Sequence, residues 1–176
     1  VQVLATLAGA GGTDTLLVTD NAATMTLTDA SLARTGRSNI AHSGFEAAEL
    51  TGGFANNTIS AATYSGNLQI DGKGGNDTLT SGSGTAIVLG GEGNDRLTAG
   101  SGPAVLVGGN GNDILKVGAA PTAGSLAGHA ILIGGAGVDG VLGGGGEDSF
   151  IDSSTDFDGL VADLALLLSN WTSAGT

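Results

Sequence analysis

The chain has no cysteine, which removes disulfides and thiol chemistry from any account of how it is held together or what it does. Aromatic residues are nearly as scarce, with four Phe, one Trp and one Tyr in 176 residues, so a core built on large rings is excluded. Only five residues are Lys or Arg against 17 Asp or Glu; the net charge of −12 repels nucleic-acid phosphates and anionic lipid and favours cations as partners. No apolar run of about 18 residues occurs and no basic-then-apolar leader opens the chain at Val1, so neither a membrane span nor a signal peptide is expected. The chain opens inside a strand-like segment and ends soon after a helical one, which reads as a processed chain or one portion of a longer one.

Catalytic constellations are missing too. His42 and His129 have no nucleophile elbow or HExxH spacing around them, and a packing or surface role is expected for both. Gly135-Ala136-Gly137-Val138-Asp139-Gly140 spells G-x-G-x-x-G after the strand-like Ile131 to Ile133. Gly143 to Gly146 follows where a helix would be needed, so dinucleotide binding is excluded. Asp156 and Asp158 cap a helix more naturally than they form a catalytic pair. No enzymatic activity is expected.

What the chain has is glycine, 34 residues of it, arranged with a period. Gly90-Gly91-Glu92-Gly93-Asn94-Asp95-Arg96-Leu97-Thr98 returns as Gly108-Gly109-Asn110-Gly111-Asn112-Asp113-Ile114-Leu115-Lys116, the two Asp residues 18 apart. Each unit is a run of residues that tolerate positive φ, then three of alternating character with an aliphatic in the middle: a turn plus a short strand. Two units bring the chain back over itself, so strands stack coil upon coil as a parallel solenoid. Gly72 to Thr80, Gly134 to Leu142 and Gly143 to Ile151 keep the register. The alternate units, Ser81 to Leu89, Ala99 to Val107 and Ser125 to Ile133, carry Ala86, Ala104 and Ala130 where Asp would stand. The coil therefore has an Asp side and an Ala side.

This pattern resembles the haemolysin-type calcium-binding repeat family, the glycine- and aspartate-rich nonapeptide (RTX) repeats of secreted bacterial proteins, over roughly residues 66–151. The resemblance implies Ca2+ as the ligand, a hard cation that takes six to eight oxygens and tolerates irregular geometry. It implies that one turn supplies its second and fourth carbonyls with its Asp, and the next coil its first and third carbonyls with its Asp. Carried over residue by residue, one site is Lys73, Gly75 and Asp77 with Gly90, Glu92 and Asp95. A second is Gly91, Gly93 and Asp95 with Gly108, Asn110 and Asp113. A third is Gly109, Gly111 and Asp113 with Gly134, Ala136 and Asp139, whose Asp residues are 26 apart and require an inserted loop near Val117 to Gly124. Upstream, Gly52 to Ser60 is a weakened copy with Asn57 in the Asp position. No ion is expected between Ala86, Ala104 and Ala130; Asp148, on that edge, reads either as a solvated turn residue or as a site completed by Asp156, Asp158 or another chain.

Strand alternation sends position eight inward, as Leu79, Val88, Leu97, Leu106, Leu115, Leu132, Val141 and Phe150. On the Ala side it sends Ile87, Leu89, Val105, Val107, Ile131 and Ile133 outward, an apolar face that needs a cover. One candidate is an amphipathic C-terminal helix after a Thr155-Asp156-Phe157-Asp158 start, with Leu160, Val161, Leu164, Leu167, Leu168 and Trp171 at helical spacing; a partner subunit is the other.

The expected architecture is all-β: degenerate leading rungs over 1–65, with Gly9 to Leu17 a worn copy of the repeat; a calcium-binding roll of about 18 residues per coil over 66–151; and a helix and tail over 152–176. About nine or ten coils follow if the whole length is solenoid. The function expected is a non-enzymatic, calcium-stiffened building block of a bacterial surface layer, adhesin or extracellular fibre, self-associating end to end or through the apolar face. The alternative is the calcium-dependent export and folding module of a secreted hydrolase or toxin. Extracellular calcium modules bind at roughly 0.1–1 mM, so the roll would stay unfolded in the cytosol and fold on export.

Overall fold

The computed structural model describes residues 6–9, 11–118, 129–144 and 148–151. Among them run sixteen strands: β1 (Thr6–Ala8), β2 (Thr15–Thr19), β3 (Thr24–Thr28), β4 (Ser31–Arg34), β5 (Ile40–Ser43), β6 (Ala47–Thr51), β7 (Thr58–Thr63) and β8 (Asn67–Gly74), then β9 (Thr78–Thr80), β10 (Ala86–Glu92), β11 (Arg96–Thr98), β12 (Ala104–Asn110), β13 (Ile114–Lys116), β14 (Ala130–Ala136), β15 (Gly140–Leu142) and β16 (Ser149–Ile151). They form two sheets. A seven-stranded sheet runs β2-β6-β8-β10-β12-β14-β16, and a nine-stranded one runs β1-β5-β4-β3-β7-β9-β11-β13-β15. From β7 onward the chain alternates between the sheets, and every pairing there is parallel. This is the parallel β-roll the repeat predicts.

Identical positions stack because each coil repeats the last: Ala86 pairs with Ala104 and Ala104 with Ala130, as Leu79 pairs with Leu97 and Leu97 with Leu115. The interior is accordingly a set of aliphatic columns, with Leu79, Val88, Leu97, Leu106, Leu115 and Leu132 all at 0% exposure. Aliphatic side chains suffice because the space between sheets is filled layer by layer, each resting on the aliphatic of the coil below, as Leu106 on Val88 and Leu97 on Leu79. Phe150 departs from the expectation. It pairs in register with Leu132 yet is 53% exposed, since it lies on the last described strand of its sheet and no further coil covers it among the described residues.

The leading region departs further. The step from β2 to β6 spans 32 residues, against 18 in the regular coils, and the surplus folds as an antiparallel meander of β3, β4 and β5. Thr28 makes the first reversal, its Oγ1 accepting the N–H groups of Ala30 and Ser31 at 3.2 and 3.0 Å. Because this meander consumes length, the seven-stranded sheet advances by only six steps at about 4.8 Å, roughly 29 Å, and the nine or ten coils expected from length alone do not form among the described residues.

The apolar outward face of the Ala side is not bare. Ile87, Leu89, Val105, Val107, Ile131 and Ile133 are each no more than 8% exposed and make a second hydrophobic cluster, with Ile151 packed against it. Self-association through this face therefore loses its premise, an open apolar surface. The helix expected after Thr155, and residues 119–124 of the loop expected over Val117 to Gly124, lie outside the described residues.

Candidate metal centre

The turns that follow β8, β10, β12 and β14 are built by left-handed backbone at positions two and four. Gly91 and Gly93 have φ of 107° and 122°, and Gly109 and Gly111 of 111° and 133°. Space demands glycine as firmly as φ does: a Cβ on Gly91 would collide with the Lys73 carbonyl oxygen, and one on Gly93 with that of Gly75. The same contacts recur at Gly109 on the Gly91 oxygen, Gly111 on the Gly93 oxygen, and Gly135 and Gly137 on those of Gly109 and Gly111. Second and fourth carbonyls of the turns after β8, β10 and β12 thus point along the roll axis at the next coil. Lys73 holds position two with φ of 75°, where a side chain costs about 1–2 kcal/mol, and its Nζ pairs with Asp71 at 2.7 Å.

The aspartates form a buried column. Asp77, Asp95 and Asp113 are at most 2% exposed. Each Oδ1 accepts the backbone N–H of the residue one coil earlier: Asn57 onto Asp77, Asp77 onto Asp95 and Asp95 onto Asp113, all at 2.7 Å, then Asp113 onto Asp139 at 2.9 Å. The other oxygen, Oδ2, is buried without a partner in all four. Such a column of half-satisfied carboxylates is unfavourable unless a cation meets it. Burial raises the Asp95 carboxyl to about 7; the Asp77 N–H opposes the rise and the Asp113 and Asp77 carboxylates add to it. Burial likewise raises Asp77 and Asp113 to about 6, opposed by the N–H groups of Asn57 and Asp95 and assisted by Asp71 and Asp139 respectively.

First carbonyls complete the convergence. A Cβ on Gly72 would crowd both Asp77 Oδ2 and the Gly90 carbonyl oxygen; on Gly90, Asp95 Oδ2 and the Gly108 oxygen; on Gly108, Asp113 Oδ2 and the Gly134 oxygen. The free carboxylate oxygen of one turn and the first carbonyl of the next therefore share one space over a glycine that cannot fill it. At Gly134 only Asp139 Oδ2 is met. Third carbonyls point the same way, those of Asn110 and Ala136 accepting Gly93 and Gly111 N–H at 2.8 Å, while Glu92 is in register with Asn110. Carboxylate and carbonyl oxygens with no nitrogen or sulfur are the donor set of a hard cation and fit Ca2+ rather than zinc. No three His, Cys, Asp or Glu side chains cluster for a metal among the described residues, as expected where backbone oxygens make up most of the set.

Residues 65–97, 89–119 and 127–150 match the RTX calcium-binding nonapeptide repeat, in four copies. These are RTX calcium-binding nonapeptide repeats. The RTX region is a calcium-binding β-roll module, with no helix among its described residues. No curated protein and no solved structure matches the chain.

Around the RTX column, other residues differ from its Asp side chains. Asn57 stands where the column would continue, but its Oδ1 accepts Gly53 N–H at 3.1 Å and its Nδ2 donates to the Ala22 carbonyl at 2.9 Å. Asp148 accepts Ala130 N–H at 3.1 Å on one oxygen and Gly144 N–H at 3.0 Å on the other, so it lacks the orphan oxygen of the column. Asp14, in the worn leading copy, retains a buried, unpartnered Oδ2 on the opposite sheet, and its N–H donates to Glu46 at 2.9 Å. Sequence reasoning missed two features. Asp20, 7% exposed, is held by Arg34 and Arg37 at 3.1 and 2.7 Å, an ion-pair cluster within the leading region. And the asparagines at position five form a ladder: Asn76 N–H on Asn56 Oδ1, Asn94 on Asn76, Asn112 on Asn94 and Val138 on Asn112, at 2.7–2.8 Å. The signal for that ladder was present in the repeated Asn-Asp pair, but the recurrence of Asn carried no chemistry of its own until its direction was known.

Proposed function

We propose that this chain is a non-enzymatic, extracellular building block of a bacterial surface layer, adhesin or fibre, folded and stiffened by Ca2+. The reading rests on one observation, the column of buried carboxylate oxygens without partners at Asp77, Asp95, Asp113 and Asp139. Three calcium ions held between these four residues, in the three ligand sets that the family resemblance implies, offset about half of the net charge of −12 and join coils that otherwise repel. RTX repeats are typical of secreted bacterial proteins, and calcium at the millimolar level outside the cell suits sites of this class. End-to-end association is favoured by the last Asp turn. Gly135, Gly137 and Asp139 offer half a ligand set, next to the far edge of β15, and neither meets a further coil or strand among the described residues.

Light scattering and electron microscopy of the purified chain with calcium and with chelator test this. Calcium-dependent ordered polymers are the expected result. Calcium-folded rolls that stay monomeric at all concentrations would instead point to a folding module serving a hydrolase or toxin domain.

A further inference from the structure

The asparagine and aspartate ladders run in opposite directions. Each Asp side chain reaches back to the coil before it, and each Asn side chain reaches forward to the coil after it. From this we infer that Asn56, Asn76 and Asn94 are positioning residues for calcium: each aims a carbonyl ligand of the following turn. The inference rests on the ligand sets proposed above.

The reason is the planarity of the peptide. In a trans peptide the N–H and the C=O point in opposite directions. Asn76 Oδ1 holds the N–H of Asn94 toward the earlier coil at 2.7 Å, so the Gly93 carbonyl in the same peptide must face the later coil. There it is found, pressed against Gly111. The same logic links Asn56 to the Gly75 carbonyl, which faces Gly93, and Asn94 to the Gly111 carbonyl, which faces Gly137. One residue later the Asp77 and Asp95 N–H groups are drawn forward by the next Asp, so successive peptides are pinned in opposite senses. Glycine at position four is part of the device, since the asparagine Oδ1 lies 3.0 Å from where a Gly93 Cβ would stand and 3.2 Å from that of Gly111. Asn56, Asn76 and Asn94 therefore serve the first, second and third sites. Asn112 aims the Gly137 carbonyl, which belongs to none of the three, and the ladder stops at Val138, whose side chain has no acceptor.

Calorimetric Ca2+ titration of the full chain separates this from a general folding role. Asn76→Ala is expected to weaken one site by about 10–100-fold, the range for outer-shell partners of metal ligands. Asn76→Asp, which keeps an acceptor oxygen, is expected to restore it. Asn112→Ala loses an equivalent hydrogen bond and is expected to leave all three affinities unchanged. With Eu3+ in place of calcium, luminescence lifetimes in H2O and D2O should show one additional bound water for Asn76→Ala, where water replaces the mis-aimed carbonyl, and none for Asn112→Ala. Should Asn76→Ala fail to fold, Asn94→Ala is read the same way at the third site. Equal losses for Asn76→Ala and Asn112→Ala, or no change for Asn76→Ala with calcium still bound, overturn the inference while leaving the sites standing. Absence of any calcium binding by the unmodified chain would remove the sites themselves.

Discussion

Asp95 accepts the Asp77 N–H on one oxygen and leaves the other buried and unpaired between two coils, so it is one of two residues, with Asp113, on which two proposed sites depend. Asp95→Ala is expected to raise the calcium midpoint for folding by about tenfold or more, a loss of about 1.4 kcal/mol per decade. Asp148→Ala should shift it less, because Asp148 belongs to none of the three proposed sites and its loss removes only two backbone hydrogen bonds. Calcium titrations followed by circular dichroism compare the two, and equal shifts would refute a one-sided ion column. The same carboxylates set a pH dependence. Their folded pKa values, about 6 for Asp77 and Asp113 and about 7 for Asp95, lie above the unfolded value near 3.9. The metal-free roll thus binds more protons than the unfolded chain, and this contribution is full below about pH 4 and lost as pH rises through 6 to 7. Calcium inverts the sign, since it must displace those protons, and its affinity should climb with pH and level off above about 7. In chelator the dichroism of the β-roll should strengthen on acidification; a metal-free chain indifferent to pH from 4 to 7.5 would contradict the burial of the column.

At the scale of the turn and strand, stacking geometry decides which glycines are dispensable. Gly93 has φ of 122° and its missing Cβ is displaced by the Gly75 carbonyl, whereas Gly140 has no neighbour closer than 3.7 Å and no positive φ. Gly93→Ala is expected to cost more than 2 kcal/mol, roughly 1–2 from the backbone region and the rest from the collision, and Gly140→Ala less than about 1. Thermal unfolding in saturating calcium measures both. In the strand columns Leu106, at 0% exposure between Val88 and Leu132, should lose about 2–5 kcal/mol on substitution by Ala, because neighbouring coils fixed by their own hydrogen bonds cannot close the cavity.

Across the whole molecule, two kinds of cohesion divide the chain. From β7 to β15 one edge of the roll depends on carboxylates that need cations; the meander of β3 to β5 instead has antiparallel hydrogen bonds, the Asp20–Arg34–Arg37 cluster and the buried Met25, Leu27 and Leu32. Because each coil touches only its neighbours, loss of metal should open the Asp-side coils without requiring the leading region to follow at once. Hydrogen exchange should therefore show β9, β11 and β13 losing protection on addition of chelator before β3 and β4 do. Uniform loss across both regions would mean that the chain folds as one cooperative unit, and retention of protection in β9, β11 and β13 would mean that metal is not what holds that edge.

From its residues alone the chain determined its period, the inward aliphatic columns and the identity of the Asp edge. These are local quantities: the turn chemistry of Gly-Gly-x-Gly-Asn-Asp and the alternation around Leu97 or Leu115 repeat every coil, and a repeated local preference can only stack on itself. Only the tertiary structure decided what happens where the period lapses. The 32-residue step from Asp14 to Glu46 has no repeat to follow, so its antiparallel meander rests on pairings between distant residues, and with it the number of coils. The burial of Ile87, Val105 and Ile131, and the opposite directions of the Asn and Asp ladders, were decided there as well. A side chain's type limits what it can bond, but which neighbour it meets depends on what the fold places above and below it.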